Sequence, residues 1–535
     1  MMNAAQTTTQ AVTGAAFLAA PGPLFFPEDF GADERLMVET AEAFSRNEVL
    51  PLLDRLEKQE DGLMRGLIKK AGELGFCGLN SPEENGGLGL GKNVAARILE
   101  FLSLNASFSV TIGITSGISQ VGLNLFGSPE QRRKWLPGLA SGEKIGAYAL
   151  SEPDSGTDAL SLTTKAIRDG ESYRLTGTKM WISNAKWADL FLVMAKVDGA
   201  RLSAFLVPRE TPGLSVGREE HKLGLKGGST ARLVLEDAVI PVENLLYEEG
   251  LGHQVALNAL NLGRFKLAAM SLGPARDAMG LAAAYAQDRK QFGQPIARFG
   301  LIQQKFALMA GLFFAAEAVT YRTGALLDAA FAESDGTIEA NKRAAEEFAM
   351  ECSLSKVLAT EAEAIIIDEA LQCFGGYGFT EEFGIARHYR DARVSRIYEG
   401  TNEINRISTA DKLVRRIQEG RLRDSVTVDS FVSELAYKLL RRELGNPNKD
   451  DQIVRGALSD LVLAVYAEQS ARLRAEKRGG LAEEAYRAFL GWANPFAARA
   501  YQTATGEAVS LPAISRPDIA ALAEGVYSDR GPLAF

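Results

Sequence analysis

The hydrophobic period of this chain changes twice, and those two changes limit what it can fold into. From about Asp33 to Gln131, residues Leu36, Met37, Thr40, Ala41 and Phe44 recur at the spacing of one helix face, as do Leu63, Leu67 and Ala71. From Gly146 the pattern shortens to β-rich runs, Tyr173 to Ser183, Leu190 to Val197, Ala204 to Val207 and Arg232 to Val239, parted by Gly, Asp, Asn and Pro. Helical periodicity returns near Gln254 and runs to about Gln418, broken at Gly293-Gln294-Pro295 and at Gly375 to Gly378. Its alanine-rich, β-branch-poor stretches suit long helices packed as a bundle. Beyond Gly420, Val454, Leu458, Leu461, Val462 and Val465 mark a further helix face. A chain of 535 residues exceeds one compact core. The expected α+β architecture is an N-terminal arm (1–32), an N-terminal α-helical domain (33–145), a middle β-barrel or sandwich domain (146–253), a helical bundle (254–419) and an additional α-helical domain (420–535).

Charge and composition narrow the chemistry. The formal charge of -9 comes from 59 basic against 68 acidic residues with no long block of either sign, which argues against nucleic acid as a partner and for small molecules. Three scattered cysteines, Cys77, Cys352 and Cys373, and three histidines, His221, His253 and His388, do not make a metal-ligand set, so no metal is expected. The apolar stretch Ala11 to Ala20 has no basic segment before it and is cut by Pro21 and Pro23, so it reads as a covering arm and not as a signal peptide. No run reaches the roughly eighteen apolar residues of a membrane span, and a cytoplasmic location is expected. The extension from Arg421 holds 15 basic and 15 acidic residues. It offers no net attraction to an anionic membrane surface, which leaves local clusters such as Arg441-Arg442 as the route to any contact at the inner membrane surface. The expectation for its apolar stripe is packing across a dimer.

Three stretches could carry chemistry. Gly86-Gly87-Leu88-Gly89-Leu90-Gly91 follows a polar turn and not a strand, so it reads as a loop; neither a Rossmann fingerprint nor a P-loop occurs in the chain. Tyr148-Ala-Leu-Ser-Glu-Pro-Asp-Ser-Gly-Thr-Asp158 gathers hydroxyls and turn N–H groups able to donate to an oxygen-rich ring or a phosphate. In Gly177-Thr-Lys-Met-Trp-Ile-Ser-Asn-Ala185, strand alternation puts Trp181 and Ser183 on one side, a π surface beside a hydroxyl. Glu399 lies in Arg-Ile-Tyr-Glu-Gly-Thr-Asn-Glu-Ile (396–404). A carboxylate at such a turn can project into an apolar cavity, where desolvation makes it a useful general base.

Taken together, Ser-Glu-Pro-Asp-Ser-Gly-Thr-Asp (151–158), Lys-Met-Trp-Ile-Ser-Asn (179–184), Asp-Arg-Lys-Gln-Phe-Gly (288–293), Gln-Cys-Phe-Gly-Gly-Tyr-Gly-Phe (372–379) and Tyr-Glu-Gly-Thr-Asn (398–402) resemble the successive signatures of acyl-CoA dehydrogenases. The entry Phe25-Phe-Pro-Glu-Asp-Phe30 and the long tail are similar to the very-long-chain subgroup. The resemblance implies a four-helix bundle after the β domain and an FAD held between the two. It assigns the flavin ring to Tyr148, Leu150, Ser151, Thr157, Trp181 and Ser183. To the nucleotide end it assigns Thr401 and Glu403 of the same subunit and, from the neighbouring subunit, Arg289, Gln291, Phe292, Gln372 and Gly376, which demands a homodimer.

For the substrate it implies Thr157, Asn261, Arg264 and Gly400 as contacts, with Glu399 as the base, since Gly263, from which some members draw theirs, has no side chain. The implied reaction removes the α-proton of an acyl-CoA at Glu399 and a β-hydride to the flavin, giving a trans-2-enoyl-CoA, with long acyl chains preferred and electrons passed to an electron-transferring flavoprotein. An acyl-CoA oxidase on the same fold and a non-catalytic assembly scaffold are the rival readings.

Overall fold

The computed structural model of the chain describes residues 13–422, 426–445 and 451–528. The first twelve positions of the expected arm lie outside the described residues. The rest of the arm is buried: Phe17 packs on Tyr466 with ring centroids 4.4 Å apart, the Thr427 N–H donates to Leu18 O at 2.7 Å, and the Ala15 N–H donates to Glu351 Oε1 at 2.5 Å. The arm therefore threads between the bundle and the C-terminal extension.

The N-terminal part is helical, from Ala32–Phe44 through Pro129–Ala140. Its helix Ala106–Gly113 runs into a wider π turn, Ile114–Ile118, where Gly117 leaves helical geometry at φ -108 and ψ -107. Such π insertions shift the side chains that follow them and recur at binding sites.

The middle part is one continuous sheet of eight strands: β1 Gly146–Ala149, β2 Lys165–Asp169, β3 Ser172–Ser183, β4 Leu190–Val197, β5 Arg201–Pro208, β6 Leu214–Glu219, β7 Thr230–Pro241 and β8 Leu245–Leu246. Its order is β6-β7-β3-β2-β4-β5-β8, with β1 parallel to β4. The sheet encloses a core of its own, including Tyr173, Leu175, Phe191, Val193, Phe205, Leu233 and Ile240. Sequence periodicity locates β3, β4, β5 and β7 and misses β1, β2, β6 and β8, which have two to six residues each. β3 carries a register shift between Lys179 and Ile182. Before it the odd-numbered residues Tyr173, Leu175 and Lys179 point inward; after it Ile182 does, and Trp181 and Ser183 are turned out. A bulge that inserts one residue reverses the faces of a strand in this way.

The bundle packs Gly252–Asp288, Gly300–Ala332, Ala349–Phe374 and Asn402–Gln418. Helix Gly300–Ala332 is buried nearly all round over Phe306–Leu327. A helix buried all round needs cover on every side. The extension supplies it: helices Gln452–Arg478, Leu481–Thr505 and Ile519–Ser528 all lie against Gly300–Ala332 of the same chain. This corrects the expectation that the extension packs across a dimer, because its apolar stripe is already covered within its own chain. Among the described residues no helix is long and apolar enough to cross a membrane.

Candidate active site

A cleft of about 440 Å³ opens where the sheet, the π turn and two bundle elements meet. One wall is the loop after β1 with the end of β3: Tyr148, Leu150, Ser151, Thr157, Trp181 and Ser183. This loop is fastened from behind. Glu152 is buried and accepts from Thr163 N at 2.6 Å, Thr164 N at 2.9 Å and Lys179 Nζ at 2.7 Å, while Lys179 Nζ also donates to Leu150 O at 3.1 Å. That many donors hold Glu152 well below the usual carboxylate range, at about 2. The Met180 N–H donates to Ser151 O at 2.9 Å, joining loop to strand. Asn184 ties the strand end to the helical wall, its Nδ2 donating to Thr111 O at 3.1 Å and Gly146 O at 3.0 Å.

Trp181 and Asn184 both sit at positive φ, 56 and 64. Left-handed backbone at non-glycine residues costs about 1–2 kcal/mol each and persists where surrounding bonds enforce it. The result is a tryptophan 55% exposed at the cleft. A large ring surface beside the Ser183 and Thr157 hydroxyls suits a flat heteroaromatic ligand with oxygen and nitrogen at its edge, such as an isoalloxazine.

The opposite wall belongs to the bundle. Glu399, itself at φ 56 and followed by Gly400 at φ 82, projects into the cleft from the turn before helix Asn402–Gln418. The turn is pinned by Arg264 Nε to Glu399 O at 3.2 Å, Lys356 Nζ to Gly400 O at 3.0 Å, and Asn405 Nδ2 to Gly400 O at 2.9 Å and Thr401 O at 3.0 Å. Its carboxylate rests against Gly263, where an added Cβ would lie 2.7 Å from Oε2. Glu399 Oε2 is buried with no hydrogen-bond partner. Burial pushes this carboxyl up to about 7 even though Arg264, Lys356 and Lys266 pull it down.

The far wall is apolar: Val110, Ile114 and Ile118 from the helical part face Leu260, Leu267 and Met270 of helix Gly252–Asp288. Lys266 is the exception, buried at 6% exposure. No motif announces this wall, and periodicity assigns such residues to a core. The one signal is Lys266 itself, a second charge two residues after Arg264 in the otherwise apolar run Leu262 to Met270.

Not every expected residue reaches the cleft. Asn261 stands behind it, its Oδ1 accepting from Nη1 of the cleft-lining Arg264 at 3.3 Å without lining the cleft itself. Thr401 caps helix Asn402–Gln418, its hydroxyl accepting from Ile404 N at 3.3 Å, and Glu403 points outward in the first turn. Arg289, Gln291, Gln372 and Gly376 line a second, open groove of about 510 Å³ that shares no residue with the cleft. Beside them Phe292 is 95% exposed at φ 51.

Known proteins share this fold. The family models for the N-terminal, middle and C-terminal domains of acyl-CoA dehydrogenase match residues 31–143, 147–238 and 250–414. A probable acyl-CoA dehydrogenase of Bacillus subtilis is 42% identical over 85% of this chain and 82% of its own length. The human mitochondrial short-chain specific acyl-CoA dehydrogenase is 38% identical over 71% of this chain and 90% of its own, and the very long-chain specific enzyme of Macaca fascicularis is 39% identical over 67% of this chain and 54% of its own. The crystal structure of an acyl-CoA dehydrogenase from Bacillus anthracis complexed with FAD superposes with a TM-score of 0.90 at 37% identity, covering 98% of this chain and 100% of that one, the extension included. With three domain models matched in order and relatives alike over most of their length, the chain belongs to the acyl-CoA dehydrogenase family of oxidoreductases.

Proposed function

We propose that the chain oxidises acyl-CoA thioesters at the α,β bond with Glu399 as the base and FAD as the bound oxidant. The observation that carries this reading is the buried, unpartnered Glu399 carboxylate across a cleft from an exposed Trp181 with hydroxyls beside it. Bound FAD supplies the hydride acceptor for the β-carbon, held by Ser151, Thr157, Trp181 and Ser183 with Tyr148 and Leu150 around it. Glu399 Oε2, which has no bond to break first, takes the α-proton. A base is most effective with its proton affinity near the working pH, and burial sets that of Glu399 at about 7. Gly400 leaves the backbone of the turn open to the thioester, and Arg264 holds the Glu399 carbonyl so that the carboxylate keeps its aim. The apolar far wall takes the acyl chain and excludes water, which strengthens every charge interaction at the reacting carbons.

Finer features follow from the same reading. The groove of Arg289, Gln291, Gln372 and Gly376, with Phe292 exposed beside it, would serve the nucleotide end of a flavin bound mainly by a partner subunit, hence a homodimer. The likeness of the extension to the very-long-chain subgroup points to long acyl chains, with electrons passed to an electron-transferring flavoprotein in fatty-acid β-oxidation. Anaerobic titration with acyl-CoAs of graded length, following loss of flavin absorbance, tests cofactor, reaction and chain length together. Glu399→Gln should retain flavin and acyl-CoA while slowing reduction at least ~1,000-fold; wild-type reduction in that variant would remove Glu399 from the role. Peroxide formed on aerobic turnover would favour an oxidase instead.

A further inference from the structure

We propose that Lys266 is a positioning residue for the reaction: its ammonium, one helical turn beyond the Gly263 on which the Glu399 carboxylate rests, is a counter-charge inside the cleft that helps keep that carboxylate ionised when the acyl chain shuts out water. The inference rests on Glu399 being the base.

Three cations surround that carboxylate, and two of them also fasten the turn that carries it. Arg264 directs Nε to Glu399 O and Nη1 to Asn261 Oδ1 and, at 3.5 Å, Ser353 Oγ. Lys356 directs its ammonium to Gly400 O and, at 2.7 Å, Asn402 Oδ1. Both therefore fasten the backbone of the 399–402 turn. Lys266 lies on the cleft wall itself, and its hydrogen bond goes to Ser116 O in the π turn, at 3.1 Å. Its stem runs past Gly117, where an added Cβ would lie 3.6 Å from Lys266 Cδ and 3.9 Å from Nζ, so the π turn is shaped around it. Ser116 Oγ, on the same residue, is buried with no partner. A carbonyl neutralises no charge, and a buried ammonium without a carboxylate is costly. Across the cleft, the carboxylate whose charge favours the ammonium is Glu399, and the effect is mutual.

The groups facing Glu399 from the elements packed around it are Arg264 and Lys266 of helix Gly252–Asp288, Lys356 of helix Ala349–Phe374, Tyr148 of β1 and the adjacent Tyr398. Lys92 of helix Lys92–Leu102 opposes Lys266 with like charge, itself offset by Asp328. Burial pushes Lys266 down to about 7, so it is charged on the acid side, where Glu399 needs help to stay ionised, and discharges on the alkaline side, where it does not.

The test is stopped-flow anaerobic flavin reduction at saturating acyl-CoA across pH, with flavin content checked, for wild type and Lys266→Met, Lys266→Gln and Lys266→Arg. Loss of a neighbouring opposite charge raises a carboxyl by about one unit or more. The acid limb should move up by about that much in the Met and Gln variants, a rate deficit of about tenfold near pH 6 that closes at alkaline pH, and Arg should restore the limb. Gln can still donate to Ser116 O, so a Gln profile like that of wild type would reduce Lys266 to a staple between helix and π turn and overturn the proposal. An unmoved limb in both neutral variants would do the same. If Met fails to fold, Gln alone decides. Wild-type protein that no acyl-CoA reduces would sink the base reading itself, a result separate from either of these.

Discussion

Two clusters of buried charge occupy the same helical body and follow opposite rules. In the first, Glu317 accepts from Arg97 Nη1 at 2.7 Å, Arg276 Nη2 at 2.9 Å and Arg474 Nη2 at 2.7 Å, while Glu100 accepts from Arg97 Nη1 and Arg276 Nε and Glu28 accepts from Arg474. Three guanidinium groups face three carboxylates, drawn from the arm, helix Lys92–Leu102, the bundle and the extension. In the second, at the cleft, Glu399 is a partly buried residue whose Oε2 is itself buried and has no partner at all. Burial acts the same way on both, and the partners decide the outcome: Glu317 is held down to about 2 and Glu399 is driven up to about 7. The paired cluster locks the extension and arm to the body. The unpaired one raises the proton affinity of a carboxyl at the cleft and lowers stability above its folded value.

The sharpest way to break the contrast is to unpair the first cluster. Glu317→Gln leaves three buried arginines short of an acceptor charge, and removing one partner of such a network costs about 3–5 kcal/mol. Denaturant or thermal unfolding should register that loss while flavin reduction per folded molecule is unchanged; an equal fall in both would mean the clusters are coupled. Glu317 lies below its ordinary 4.5 in the folded chain, so its contribution is full above about pH 4.5 and is lost as pH falls toward about 2. In the Glu317→Gln variant that acid-side loss should be absent.

Glu399→Gln should change stability with the opposite sign. The folded carboxyl keeps its proton up to about 7 whereas the unfolded one ionises near 4.5, so the wild type loses stability as pH rises through that window. The shift corresponds to about 3 kcal/mol. Above pH 7 the Gln variant should therefore unfold later than wild type, by up to that amount, with the gain vanishing below pH 4.5. A variant less stable than wild type at pH 8 would mean that Glu399 is held by interactions the unpaired Oε2 does not reveal.

These two clusters are unequally legible in the sequence. The cleft can be approached because Ser151, Thr157 and Glu399 sit on contiguous loops, where Gly, Pro and hydroxyl residues form runs such as 151–158 and 398–402 that have no packing reason to exist. The paired network has no such runs: Arg97, Arg276, Glu317 and Arg474 lie on separate helices far apart in the chain, each reading alone as a solvated charge. The same holds for the apolar far wall, whose Val110, Leu267 and Met270 are indistinguishable from core until the π turn opens a space beside them. Alternation predicts Trp181 and Ser183 on one face, but not the bulge at Lys179–Ile182 that turns this face outward, since a one-residue register shift leaves no trace in composition. The short strands β1, β2, β6 and β8 escape for a related reason, being too brief to show a period. The extension's cover of Gly300–Ala332 reads as intermolecular because an apolar stripe does not say whose surface it meets.

A smaller change sharpens the cleft side alone. In Gly263→Ala the new Cβ would stand 2.7 Å from Glu399 Oε2, the far end of a flexible side chain, so the carboxylate can swing away at little cost in stability. Displacement of a reacting group by a fraction of an ångström lowers rates steeply, and a fall of about tenfold in flavin reduction is expected, with unfolding unchanged. A stable, fully active Gly263→Ala enzyme would show that the contact does not set the aim of Glu399.

The smallest expected effect concerns Thr401, which the family likeness assigns to the flavin nucleotide and which the structure uses as a helix cap. Its hydroxyl accepts from Ile404 N, and its carbonyl from Asn405 Nδ2, immediately after the strained pair Glu399 and Gly400. Replacing a capping threonine with alanine costs about 1 kcal/mol, and serine preserves the cap. If capping is the whole role, Thr401→Ala loses about that much stability, Thr401→Ser loses almost none, and both keep wild-type flavin affinity. If the hydroxyl also reaches the cofactor, flavin dissociation should quicken in the Thr401→Ala variant beyond what the stability loss explains, and the serine variant should rescue both. Measuring flavin release beside unfolding separates the two, because a cap acts through the position of the turn whereas a cofactor contact acts on affinity even when the turn stays in place.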